Sequence, residues 1–367
     1  MIAPFQGRWT KRWTAVARRN RPGSRRAELR VWGVGLGVML GVVLVLTGCQ
    51  GGPSAETEDG GVAPIVSTAA PAAVLPSSTS PQLQAPRYIF GIIYPMAHPF
   101  YEEITRLAEE AGAPENVRLV VKAPETVSVE QQIHMMETMI QQQVDGIAIS
   151  PIDSAALTPV INKAADAGIP VVCFESDAPD SRRSAYMGTD NVKAGAELGR
   201  VIQKRMKDKG MVLVASGVSS MSQNRDRLQG LLDFLHDDTH IQVLEVRSNE
   251  GDDGKALADL EAMIDAHPHF DAFISTDLTS GSASVLVWKA MGLSRYAVAF
   301  HLTPEMKEGL RNGQITSVLS QNEAGWGRLL VGQLLRLARG EPVPDFTDTG
   351  RMVIDGSPEG LTSLPKK

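Results

Sequence analysis

From Tyr88 onward the apolar positions come in short solid runs separated by longer amphipathic stretches. Residues 88–94, Val117–Lys122, 145–150 and Val171–Phe174 predict strands. Between them, Phe100–Gly112 carries Ile104, Leu107, Ala108 and Ala111 at helical spacing. Ser128 followed by Gln131 reads as a capping box opening a helix whose inner face is Ile133, Met136, Met139 and Ile140. That Met stripe suits core packing, because Met fills irregular apolar gaps. A helix over 153–167 completes the series. After a strand at 185–187 the alternation restarts. Helices are expected over 191–207, 222–236, 253–267, 281–291, 304–312 and 323–339. Strands are expected over 211–215, 241–246, Ala272–Ser275, Tyr296–Phe300 and 315–319. Such βα alternation predicts an α/β fold of parallel sheets with helices on both faces. Two successive series of about 100–130 residues suit two doubly wound lobes.

The run Val171–Phe174 is apolar throughout, as a strand buried on both faces must be. Past its end come Glu175, Ser176 and Asp177. Open α/β sheets bind ligands outside the carboxyl ends of their strands, so Glu175 and Asp177 are candidate ligand-gripping residues. Both also admit a plainer reading as solvated loop residues or caps of the following turn. Cys173, inside the strand, reads as a buried and inert thiol.

The first 86 residues follow a different pattern. Residues 31–46 are apolar and uncharged behind an Arg-rich segment, shorter than the ~20 residues a spanning helix needs. Basic flank, apolar run and small residues afterwards suit a secretory signal. The run ends Leu46-Thr47-Gly48-Cys49, which resembles the lipobox of bacterial lipoproteins and implies lipidation of Cys49. Residues 24–30 resemble a twin-arginine signal, except that Glu28 stands where an apolar residue is usual. Residues 50–86 carry six prolines and three charges, too little apolar surface to fold, and read as a tether. The expected layout is a signal peptide over 1–48 and a tether over 49–86, with the globular part beyond, exported and lipid-anchored at the bacterial membrane facing the periplasm or cell exterior.

Charge sharpens this division. The whole chain has 36 Lys and Arg against 42 Asp and Glu. Nine of the basic residues and one acid lie in 1–48, so the remainder carries 27 basic and 41 acidic residues, a net of −14. An acidic globular part excludes nucleic acid as a partner, since phosphate binding draws on clustered Lys and Arg. Two cysteines imply no disulfide framework. No phosphate loop, paired-Cys metal site or nucleophile elbow occurs, so the chain is not expected to be an enzyme or to hold a cofactor or metal. His267-Pro268-His269 fits a solvated helix end better than a metal site.

An ordered set of landmarks resembles the periplasmic sugar-binding proteins of the ribose/galactose type, the receptors of ABC importers. They are Ala97-His98-Pro99-Phe100-Tyr101, residues 145–151 with Asp153, 167–170, 188–191 with Gly195, Arg225-Asp226-Arg227 with Gly230, Ser275-Thr276-Asp277, Phe300-His301 and Gln321. The resemblance runs from Arg87 to about Pro358. It implies two lobes joined by three crossing segments: 87–188 with 322–341, and 189–321 with 342–360. Hinges would fall at Gly188 and Asp190, at Gln321 and Asn322, and near 341–344. It also implies a monomer that captures a sugar or polyol and delivers it to membrane permease subunits. A receptor showing its closed form to a membrane sensor kinase or chemoreceptor fits the same residues.

By this resemblance Phe100 and Tyr101 would stack on the sugar, Arg227 would donate to its oxygens, and Glu175 and Gln321 would bond hydroxyls. Asp177, Thr276, Asp277 and His301 would join them. Taken alone, Phe100 and Tyr101 would read rather as the start of a helix's core. Arg227 could pair with Asp226 or Asp233 on its own helix, Asp190 suits a helix cap, and Trp288 and Trp326 suit packing. His98 stands in place of a usual Asn, Thr276 of an Asn, His301 of an Asp, and Glu175 is a methylene longer than the usual Asp. A ligand-contacting His301 predicts an affinity that changes between about pH 5 and 8; a flat profile would exclude it.

Overall fold

The computed structural model describes residues 85–362. The first lobe begins β1 (Tyr88–Ile93), α1 (Phe100–Gly112), β2 (Val117–Lys122), α2 (Val129–Gln141), β3 (Gly146–Ile149), α3 (Ser154–Asp166), β4 (Val171–Phe174) and β5 (Ala185–Gly188). The second contains α4 (Asn191–Met206), β6 (Lys209–Ser216), α5 (Ser222–Asp238), β7 (His240–Ser248), α6 (Asp253–Ala266), β8 (Ala272–Ser275), α7 (Leu278–Met291), β9 (Tyr296–Phe300), α8 (Pro304–Arg311) and β10 (Ser317–Ser320). The chain then returns through a 3-10 turn (Glu323–Gly325) to α9 (Trp326–Ala338) and β11 (Phe346–Asp348) of the first lobe. It ends in the second with β12 (Met352–Asp355) and α10 (Pro358–Thr362).

Each lobe is a six-stranded sheet. The orders are β11-β5-β4-β3-β1-β2 and β12-β10-β9-β8-β6-β7. Every pairing is parallel except β10 with β12. Both faces are covered, so the central strands are wholly apolar. In the first lobe α1 and α9 pack on one face, with Phe90, Ile92, Val172, Phe174 and Leu330 fully buried between layers. The other face packs against α2 and α3, where Met136 and Met139 sit among Ile147, Ile149 and Val171. In the second lobe α4 and α5 cover one face and α6, α7 and α8 the other. Burying each large apolar side chain contributes roughly 1.5–3 kcal/mol.

Helix starts are set by short polar side chains. Ser128 accepts from Gln131 N, Asp153 from Ala156 N, Asp190 from Lys193 N and Asp252 from Lys255 N. Helices α4 and α5 approach closely enough to need glycine on both. A Cβ at Gly195 would lie 1.9 Å from the Arg227 carbonyl oxygen, and one at Gly230 2.0 Å from the Val192 carbonyl oxygen. This contact fixes where Arg227 stands.

The third crossing differs from the expectation near 341–344. Residues 346–348 still belong to the first lobe, paired with β5 in the register Phe346↔Tyr186, Thr347↔Met187 and Asp348↔Gly188. Without them β5 would be an open sheet edge. The Phe346 ring stacks on Tyr186 at 5.5 Å. The chain crosses through Thr349–Arg351 instead. Thr349 N donates to Gly188 O at 2.7 Å, and Arg351 Nη1 donates to Thr189 Oγ1 at 2.6 Å, so two crossings are tied together. A three-residue strand and a short antiparallel edge strand carry too little periodicity to stand out in sequence.

Candidate functional site

The carboxyl ends of both sheets face one cleft. From the first lobe come Tyr94 after β1, Ser150 after β3 and Glu175 after β4. From the second come Gly217, Asn249, Thr276 and Asp277, His301 and Gln321, after β6, β7, β8, β9 and β10. Tyr101, Glu175, Met96 and Val127 of the first lobe and Val218, Met221, Gln223, Asn249, Asp277 and His301 of the second line a shared cavity of ≈ 30 Å³. That is room for a few waters at most, so a larger ligand enters only when the lobes part. They are closed on each other here. Ser220 Oγ donates to Ile152 O at 2.9 Å, and Ser176 Oγ lies 3.3 Å from Ser222 Oγ. Ile152 packs against Val218 and Met221, flanked by Val127 and Val129.

Glu175 and His301 occupy matching positions, each the first residue past its strand and each in left-handed backbone, at φ 60 and φ 72. Their amides still extend the sheets, Glu175 N to Met187 O at 2.9 Å and His301 N to Leu319 O at 3.0 Å. Left-handed backbone at a non-glycine residue costs on the order of 1 kcal/mol or more and persists where surrounding structure holds it. Both side chains are almost wholly buried.

Glu175 Oε2 accepts from Tyr101 Oη at 3.0 Å and Ser150 Oγ at 3.2 Å. Burial, then the nearby Glu175 charge, pushes the Tyr101 phenol well above its ordinary value, so it stays a donor. Tyr101 stacks on Tyr94 at 4.4 Å. Phe100 meets Tyr101 and His301 edge-on, each at 5.1 Å, with Trp326 behind them. Glu175 Oε1 lies 3.8 Å from His301 Nε2, while His301 Nδ1 lies 3.3 Å from Glu323 Oε1 without an aligned hydrogen bond. Burial raises the Glu323 carboxyl, but His301 and Ser320 outweigh it and hold the group below its ordinary value.

Arg227 is fully buried, its guanidinium 3.5 Å from the centre of the Phe300 ring. Nη1 donates to Thr276 O at 2.5 Å and Nη2 to Asn191 Oδ1 at 2.7 Å, while Nε has no partner. Burial brings this guanidinium down to about 10, against the pull of Glu175, Tyr186, Asp277 and Glu323. Its donors turn inward, not to Asp226 or Asp233. Asp277 caps α7: Oδ2 accepts from Thr279 N, Ser280 N and Asn249 Nδ2, while Oδ1 is unpartnered. Gln321 is fully buried with neither amide atom partnered.

The expected residues thus divide. Tyr101, Glu175, Asp277 and His301 line the cavity, while Phe100, Arg227 and Gln321 are buried and not part of its lining. Thr276 spends its hydroxyl on Ser216 Oγ at 3.0 Å. Asp177 does not join the group. Arg183 takes both its oxygens, Nε at 2.5 Å and Nη2 at 3.0 Å, and also reaches Asp345. Of the hinge residues, Asp190 caps α4, Gly188 O takes the Thr349 bonds, and Asn322 is left-handed at φ 58. Cys173 is fully buried, its thiol pushed up to about 12 by burial. His267 meets Glu245 at 3.0 Å, and no group of metal-ligating side chains occurs among the described residues. Cys49 lies outside the described residues, and none of the described helices is long and apolar enough to cross a membrane.

Sequence reasoning missed Asn249 and Gln223. Asn249 holds Asp277 and donates also to Ser280 Oγ at 2.7 Å. Its signal was its place one residue past a strand, the position that singled out Glu175.

Comparison with known proteins agrees with this architecture. The family model described as a periplasmic binding protein domain matches residues 89–342. A D-ribose/D-allose-binding protein of Pseudomonas aeruginosa is 28% identical over 218 residues, 57% of this chain and 68% of the relative. The solute-binding protein of an ABC transporter from Burkholderia graminis, solved in complex with D-arabinose, is 27% identical. It superposes with a TM-score of 0.72 over 77% of this chain and 99% of its own. A glucose-galactose binding protein from Geobacillus stearothermophilus, 25% identical, gives a TM-score of 0.69 over 76% of this chain and 99% of its own. With two doubly wound lobes, three crossings and a cleft at the strand ends, the chain belongs to the periplasmic binding protein family.

Proposed function

We propose that this protein captures a sugar or related polyol between its lobes and delivers it to an ABC importer, held at the membrane by a lipid on Cys49. The observation that carries the reading is the set of buried polar groups lacking partners at the cleft. Asp277 Oδ1 and Gln223 Oε1, on residues lining the cavity, are buried without partners, and so are Arg227 Nε and both amide atoms of Gln321. Buried polar atoms are nearly always satisfied, and a cluster of exceptions in one cleft suits a ligand that supplies the missing bonds. A polyol offers donors and acceptors on one edge and C–H faces for aromatic rings. The binding of D-arabinose by the Burkholderia graminis protein and the names of the other relatives support the same class of ligand.

The test is thermal unfolding of the purified protein with pentoses, hexoses, polyols and nucleosides. A ligand at 100 times its Kd adds about 2.7 kcal/mol of stability. A folded protein that none of these stabilises refutes sugar capture. For the anchor, wild-type and Cys49→Ala chains are expressed with a clickable fatty acid. Label on the wild type alone is expected, and label on neither removes the anchor from the proposal.

A further inference from the structure

The charges around the cleft do not balance. Glu175 and Asp277 line the cavity, and no Lys or Arg is among the residues lining it. Glu323 stands behind His301, itself buried. Facing these three carboxylates are the Arg227 guanidinium and the His301 imidazole. Arg225, nearby on α5, spends Nη1 on the carbonyls of Ser219 and Ser220. Even with His301 protonated, one negative charge is uncompensated.

The hydrogen bonds say the same. Glu175 is held by two neutral hydroxyls. Asp277 Oδ2 is held by two backbone amides and the amide of Asn249, and Oδ1 is buried without a partner on a cavity-lining residue that is 5% exposed. These neutral dipoles stabilise the carboxylates but leave their charge in place. Buried charge without a counter-charge is costly. A hydroxyl ligand brings donors and no charge. An ammonium brings three donors and the missing positive charge, and it is attracted to the face of an aromatic ring such as Tyr101.

Resting on the capture reading above, we propose that the ligand is an amino sugar or amino-polyol whose protonated amine sits between Glu175 and Asp277. This assigns the two carboxylates to specificity for charge as well as to hydroxyl binding.

The experiment is titration calorimetry of the purified protein at neutral pH with matched pairs. These are D-glucosamine and D-glucose, D-galactosamine and D-galactose, D-mannosamine and D-mannose, and 6-amino-6-deoxy-D-glucose and D-glucose. N-acetyl-D-glucosamine and N-acetyl-D-galactosamine serve as uncharged controls. At least one amine should bind about tenfold or more tighter than its hydroxyl parent, with no such gain for the acetylated form. Glu175→Gln and Asp277→Asn should each bring the amine-to-hydroxyl ratio toward one; Asn can still cap α7, so this variant separates charge from folding. Parents that bind as tightly as their amines in every pair overturn this proposal and leave sugar capture standing. A ratio that survives in both variants overturns the assignment to these carboxylates. No binding by any of these compounds overturns this proposal, and sugar capture then stands or falls by the thermal panel above.

Discussion

Replacing Arg227 tests how the second lobe and the cleft depend on one buried charge. The guanidinium makes two charge-assisted hydrogen bonds and lies against Phe300. Such bonds contribute roughly 1.5–3 kcal/mol each, and a desolvated cation–π contact about 2 kcal/mol. Against this stands the cost of burial, visible in a guanidinium brought down to about 10, on the order of 3 kcal/mol at 1.36 per pKa unit. The balance favours the native arrangement by a few kcal/mol. Arg227→Ala therefore should cost about 3–5 kcal/mol, because it leaves Thr276 O and Asn191 Oδ1 unpaired and opens a void. Arg227→Met refills the volume and should cost about 2 kcal/mol less than Ala. Urea unfolding followed by circular dichroism gives both values, and calorimetry with the best sugar reports binding. An Ala variant within about 0.5 kcal/mol of wild type would refute the burial argument. Equal losses for Ala and Met would show that the void contributes nothing.

Three further outcomes are expected. Gly230→Ala drives a Cβ toward the Val192 carbonyl and should destabilise by about 1–3 kcal/mol in the same urea assay; a neutral result would mean α4 and α5 part freely. Glu323 has a depressed carboxyl, so its contribution is present above the ordinary carboxylate value and is lost as pH falls through the folded one. Glu323→Gln should therefore flatten the acid limb of stability below the ordinary carboxylate range, and an unchanged limb would place the charge coupling elsewhere. Met221→Asp puts a charge into the Ile152–Val218–Met221 contact between the lobes and should raise the radius of gyration of the sugar-free protein in solution scattering. Unchanged scattering would show that this contact does not hold the lobes shut.

The alternation of strand and helix was legible because central parallel strands are buried on both faces and leave solid apolar runs. Val171–Phe174, Ala272–Ser275 and Tyr296–Phe300 stand where those runs predict. Edges were not legible. Phe346–Asp348 and Met352–Asp355 are half-exposed, so little apolar patterning marks them, and the third crossing lies several residues beyond 341–344. The same reasoning explains Asp177. Its composition matches Glu175, two residues away, but its destination depends on Arg183 and Asp345, which come together only once β11 has joined β5. Local sequence carries no trace of that meeting.

The cleft shows what position along a strand can and cannot settle. Every cavity-facing polar residue from a strand end could be found by the rule that located Glu175, Asn249 included. What that rule could not supply is the pairing among them. Asp277 reads in sequence as a cap or as a ligand residue, and in the structure Oδ2 closes the first turn of α7 while Oδ1 is left buried without a partner. Arg227 reads as a surface partner of Asp233, yet the glycine contact between α4 and α5 draws its helix inward until the guanidinium meets Phe300. The surplus of carboxylates at the cleft follows from these two placements. A free Arg227 at the cavity wall would neutralise Glu175 directly. Held beneath it by Thr276 and Asn191, it leaves that charge for whatever the lobes close upon.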